Sequence, residues 1–105
     1  MQVVFNREIA EQLRERYTVL DLETFTVKDQ TLEAFCVVPS EKLAFMDLTK
    51  LQEQTSNHAA FVEALKSQDW AKLIAMYDQV RGSFGSELDS FYGEIVSRAN
   101  LYFND

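Results

Sequence analysis

The sequence predicts an α+β domain: a small antiparallel β-meander of two to three strands packed against about four helices. Three observations predict it. Apolar residues alternate with polar ones between Tyr17 and Val38, the period of a strand. From Asp47 onward the apolar residues recur every three or four positions, the period of a helix. Short polar turns, not long linkers, separate the pieces, and the chain holds only three Gly and one Pro.

Taken in order, Asn6 is placed to cap a short first helix, with Phe5 and Ala10 as a weak hydrophobic staple. Ile9, Leu13 and Tyr17 follow as a narrow apolar stripe. "YTVLDLETFTV" then alternates, with Leu20 and Leu22 in one phase and Phe25 and Val27 in the other. The slip near Glu23–Thr24 predicts a bulge, or a strand apolar on both sides. Lys28, Asp29 and Gln30 make a polar turn. "TLEAFCVV" puts Leu32, Ala34, Cys36 and Val38 in phase, which completes a β-hairpin. Pro39 to Lys42 is the next turn, and Leu43 to Met46 is the expected third strand, because a lone hairpin is marginal in water.

Asp47 reads as the N-cap of a helix reaching about Lys66, with Leu48, Leu51, Thr55, His58, Ala59, Val62 and Leu65 on its apolar side. Lys50, Glu53, Asn57 and Ala64 fall outside that stripe. Asp69 caps another helix, apolar through Trp70, Leu73, Ile74, Tyr77 and Val80. Gly82 suits its left-handed C-terminal position. Ser86 caps the last helix, which buries Leu88, Phe91, Tyr92, Ile95 and Ala99.

Met1–Asp105 is one domain's worth of chain, 47% hydrophobic and 26% charged, with no repeat or low-complexity tract. Eight Phe, four Tyr and one Trp promise a core dense in large rings. The net charge is −7, and Tyr17–Pro39 sets Asp21, Glu23, Asp29 and Glu33 against Lys28 alone. Phosphate contacts need clustered Lys and Arg, so direct nucleic-acid binding is not expected. A single cysteine permits no internal disulfide and fits a reducing, cytoplasmic setting. No apolar run approaches the roughly 20 residues of a bilayer span, and the N-terminus lacks the layout of a signal peptide.

The stretch "RGSFGSELDSFYGEIV" has the glycines, serines and helix start of a phosphate loop, but Glu87 and Asp89 sit in the first turn, where a phosphate would meet like charge. It reads as helix punctuation, with Ser86 and Asp89 resembling a capping box. In the same helix Ser86, Ser90, Gly93 and Ser97 recur within roughly 60° at 100° per residue, opposite the apolar face. Such a stripe is either a harmless exposed face or a surface where a second helix docks; it is the candidate interaction surface. His58, the only histidine, lies in an apolar stripe and reads as a core-edge residue rather than a general base or metal ligand. Cys36, in phase with Leu32 and Val38, reads as a buried thiol. Asp21, Glu23 and Glu33 read as a solvated hairpin face rather than as paired acid–base groups. No Rossmann, Walker or EF-hand spacing is present. No catalytic, cofactor-binding or metal-ligating residue is assigned, and no cofactor is expected.

"LDLETFTV", "AFCVVPSEKL" and "FGSELDSFYGEIVSRA" resemble short open reading frames of T-even-like phages of marine cyanobacteria and of marine environmental sequence. The resemblance implies a phage-borne protein of the host cytoplasm and brings no functional residues with it. The residues and the resemblance together predict a non-catalytic domain that binds protein, itself first as a homo-oligomer. Two alternatives stand beside it: a small-molecule binder or enzyme with a pocket around His58, and an acidic regulator of a basic partner site.

Overall fold

A computed structural model describes residues 1–103. The α+β class is as expected, but the third strand is elsewhere. It is β1, Gln2–Val4, at the start of the chain; β2 is Thr18–Val27 and β3 is Gln30–Val38. The sheet is antiparallel in the order β1-β3-β2, so it is not a sequential meander. Leu43–Met46 forms no strand. Ser40–Lys42 is a 3₁₀ turn, the Leu43 N–H is taken by the Ser40 carbonyl, and the Met46 N–H is taken by the Leu43 carbonyl. Leu43 itself is in the right-handed helical region (φ −110°, ψ −4°), so the segment turns on itself and lacks the extended backbone a ladder needs. Val3 instead pairs with Cys36, and Val4 with Phe35.

β3 is central and is buried on both faces. Ala34, Cys36 and Val38 face the helices together with Leu20 and Leu22 of β2. Phe35 and Val37 face the other way, against Val19 and the first helix, α1, Arg7–Leu13. That double burial explains the unbroken apolar run from Ala34 to Val38. Asn6 caps α1 as expected, its Oδ1 accepting the Ile9 N–H at 3.0 Å. The buried face of α1 differs from the expected stripe: Ala10 and Leu13 meet the sheet, while Ile9 and Tyr17 are about half exposed. Small Ala10 lets the short helix lie close to Val19, Phe35 and Val37.

The phase slip in β2 is a bulge. Asp21 pairs with Phe35 and Thr24 with Glu33, so Leu22 and Glu23 oppose Ala34 alone. The extra residue returns Phe25 and Val27 to the helix-side face, in line with Leu20, Leu22 and Leu32.

α2, Leu48–Lys66, is capped by Asp47, whose carboxylate accepts the Lys50 N–H at 2.7 Å. Its buried residues are His58, Phe61, Val62 and Ala64; Leu48 and Thr55 of the expected stripe are exposed. Phe61 turns the helix, packing edge-on to Tyr92 at 5.0 Å and to Phe91 at 6.2 Å. Asp69 caps α3, Trp70–Ala75, and the expected single helix breaks at Met76 before α4, Tyr77–Val80. Gly82 is left-handed (φ 84°) as expected, and α5, Asp89–Phe103, buries Phe91, Tyr92, Ile95 and Ala99, with Leu88 just ahead of it. Among the described residues no helix is long and apolar enough to cross a membrane.

Two ion pairs orient α5 on the sheet. The amino terminus of Met1 lies 3.6 Å from Glu87, ahead of the helix, and Arg98 binds Glu23 at 2.9 Å at the bulge. α5 therefore runs in the direction of β2, and the two leave the core at the same end.

The hairpin turn is Lys28–Asp29, with both residues left-handed (φ 49° and 66°). Neither has the freedom of glycine there. Replacing the pair by Asn-Gly relieves that strain, and a gain of about 1 kcal/mol is expected. A rise in the urea midpoint with unchanged slope checks this.

Candidate functional site

His58 is the only histidine of the chain, and it is buried. Its Nε2 lies 2.5 Å from the Asp21 carbonyl and its Nδ1 2.7 Å from the Tyr92 hydroxyl. A carbonyl can only accept, so Nε2 carries the proton and donates. Nδ1 is then bare and accepts from the tyrosine O–H. The ring is neutral with both nitrogens engaged, and it packs edge-on to Phe84 at 6.1 Å. A groove of about 310 Å³ passes over it, with Asp21 and Glu63 on its wall. The Asp21 carboxylate is turned to Arg14 at 3.1 Å, not to the imidazole. A general base needs a free lone pair, and His58 has none to offer. The Tyr92 hydroxyl is likewise held protonated by burial.

The glycine stretch also spends its polar groups internally. The Gly82 N–H donates to the Asp89 carboxylate at 2.8 Å, and the Phe84 N–H donates to the Gln54 side-chain carbonyl at 2.8 Å. The Ser86 and Glu87 N–H groups bond the Gly82 and Phe84 carbonyls. Phe84, Gly85 and Ser86 are all left-handed, and the turn they make drives the Phe84 ring fully into the core. Ser86 thus lies in a 3₁₀ turn and does not cap α5. The first helical bond goes from the Tyr92 N–H to the Leu88 carbonyl, and Asp89 is occupied with Gly82 instead of completing a capping box.

Of the four small residues, Ser90, Gly93 and Ser97 remain on α5. Ser90 and Ser97 are exposed. Gly93 is half-buried, and a β-carbon there would lie 3.8 Å from the Tyr77 hydroxyl of the chain's own α4. Cys36 is fully buried, and burial, with Glu87 nearby, pushes its thiol up to about 11. The carboxylates of Asp21, Glu23 and Glu33 each have a basic partner, Arg14, Arg98 and Arg7 respectively, so they are not gathered. Arg7's hydrogen bonds hold the Glu33 carboxyl below the usual range. Among the described residues no three of His, Cys, Asp and Glu meet as a metal site.

What the structure does gather is apolar surface at one end. The buried stripe of α5 continues into Tyr102 and Phe103, each 57% exposed. The helix-side face of the hairpin continues into Phe25, Val27 and Leu32, of which Val27 is 49% exposed. Trp70 stacks on Tyr102 at 5.1 Å beside an open cleft of about 530 Å³ lined by Thr24, Lys66 and Arg98. Phe45, in the turn ahead of α2, and Leu48, its first residue, are also exposed but continue neither stripe. The expectations from sequence leave this end out, although its signal is present: Val27, Leu32 and Tyr102 keep core phase and are exposed. Comparisons with protein-family models, with curated proteins and with solved structures find no match to this chain.

Burial lowers the pKa of His58, against a smaller upward pull from the Asp21 carbonyl. The unfolded chain therefore takes the proton first, near the ordinary pKa of 6.5. Stability is level above about pH 6.5 and falls as the pH drops below it. Urea unfolding at pH 7 and pH 5 checks this. In His58→Gln the drop over that interval shrinks, while stability at pH 7 is lower by about 1–3 kcal/mol for the unmatched polar groups.

Proposed function

We propose that this chain acts by binding protein, and that its first partner is a second copy of itself, met through the apolar end. The carrying observation is that the buried stripes of α5 and of the hairpin run past the core at the same end. The accessible surface supports it. It is 6836 Å², whereas a monomer of 12.1 kDa ordinarily exposes about 6,000 Å². The body is correspondingly flat, 42 × 33 × 18 Å. Tyr102, Phe103 and Trp70 are the residue types that anchor interfaces, since they bury large area at small entropic loss.

Light scattering at about 100 μM is expected to give double the 12.1 kDa mass. Val27→Asp with Phe103→Asp returns the monomer without loss of helix content, because both side chains are already exposed. A wild-type mass of one chain overturns the proposal. Each copy carries −7, so added salt screens their repulsion and strengthens self-association. Binding that weakens with salt points instead to a basic partner.

A further inference from the structure

The proposed self-association has a specific route through the outer edge of β2, and this inference rests on that reading. Backbone groups of a strand alternate in direction, and those of one ladder edge lie two residues apart. On β2 the Val19 carbonyl accepts from Arg14 at 2.9 Å, and the Asp21 carbonyl accepts from His58. Odd residues therefore point away from β3 before the bulge. The extra residue at Leu22–Glu23 inverts the parity, so Thr24 and Thr26 point outward after it. The two-residue turn agrees, since it makes Val27 and Gln30 a bonded pair and leaves Thr26 facing out. The first half of the edge is thus occupied by Arg14 and His58. In the second half, no turn, loop or side chain of the described residues bonds the Thr24 or Thr26 backbone.

We propose that β2 pairs antiparallel with β2 of a second copy, Thr24 opposite Thr26 of the mate and Thr26 opposite its Thr24. Of the two-fold registers, this one alone satisfies both outward residues of both chains, with four hydrogen bonds. It places Phe25 against Phe25 of the mate on the axis, in a non-bonded pair where side chains come closest. The axis is perpendicular to the sheet, so the apolar faces of the two hairpins lie side by side and form one patch. The two sheets join into six strands.

Charge fits as well. In this register the mate's turn comes beside the bulge of β2, at the cleft that Lys66 lines. Asp29 and Lys66 make no ion pair among the described residues, and across the axis each supplies what the other lacks.

Two measurements test the route. In amide hydrogen exchange, Thr24 and Thr26 exchange fast in dilute protein and slow as concentration rises, while Phe25 and Val27 are protected throughout. Thr26→Pro removes an N–H that the monomer ladder does not use. It leaves the monomer folded and weakens dimerisation roughly thirtyfold or more, for two lost hydrogen bonds per dimer. A wild-type dimer whose Thr24 and Thr26 amides stay fast, or one that Thr26→Pro leaves intact, overturns the edge route and leaves self-association standing. A wild-type monomer at all concentrations overturns both. If Thr26→Pro does not fold, the exchange result on the wild type decides.

Discussion

His58 reaches from α2 to a strand carbonyl on one side and to the tyrosine of α5 on the other, and three elements are held by that single ring. The Asp21 carbonyl belongs to the outer edge of β2, where a bare acceptor would have to be buried under α2. The Tyr92 hydroxyl is fully buried beneath the same helix. Leaving either unmatched would cost about 1–3 kcal/mol, a large share of a small domain's stability. A neutral imidazole answers both, because it carries one donor and one acceptor at opposed positions. The rings of Phe84, Phe91 and Tyr92 pack against it, and Phe61 backs Tyr92, so the polar bridge lies among aromatic rings.

Much of the remaining architecture follows from that joint. With α2 tied to β2 at Asp21, the start of the β2 edge is closed to other strands. Past the bulge α2 ends, and the chain turns into α3 near Thr24. The hairpin and the end of α5 continue beyond the helical layer, still carrying core-phase residues. An apolar surface and an unpaired strand edge therefore occur together at one place. Proteins ordinarily blunt an exposed edge with charge, proline or a bulge. Here the bulge and Glu23 guard the middle, whereas Thr24 and Thr26 are small, neutral and suited to pairing.

The residues that looked most like chemistry have structural work instead. The glycine stretch aims a phenylalanine into the core and hydrogen-bonds its own amides. Gly82 and Gly85 are there for left-handed backbone, and at Gly85 a β-carbon would also press on the Lys42 carbonyl at 3.1 Å. The carboxylates of Asp21, Glu23 and Glu33 are each spent on an arginine from outside the hairpin. With those polar groups committed to the fold, the uncovered apolar end is the surface that the fold itself leaves unused.

Local pattern alone determined the α+β class, the hairpin, its bulge, and the caps at Asn6, Asp47 and Asp69. These depend on period and on side chains bonding a backbone three residues away, both of which are written in neighbouring letters. It also marked the buried face of α5 through Leu88, Phe91, Tyr92, Ile95 and Ala99. Tertiary structure alone decided that Gln2–Val4, not Leu43–Met46, is the third strand. Three residues carry too little pattern to announce a strand, and its pairing is settled by which segment runs extended beside β3. It rotated α2 to bury Phe61 and Ala64, because the rings of α5 offered more contact than the stripe nearest in sequence. It also brought the ends of α5 and the hairpin together, a meeting set by ion pairs 75 or more residues apart in the chain, which no local window contains.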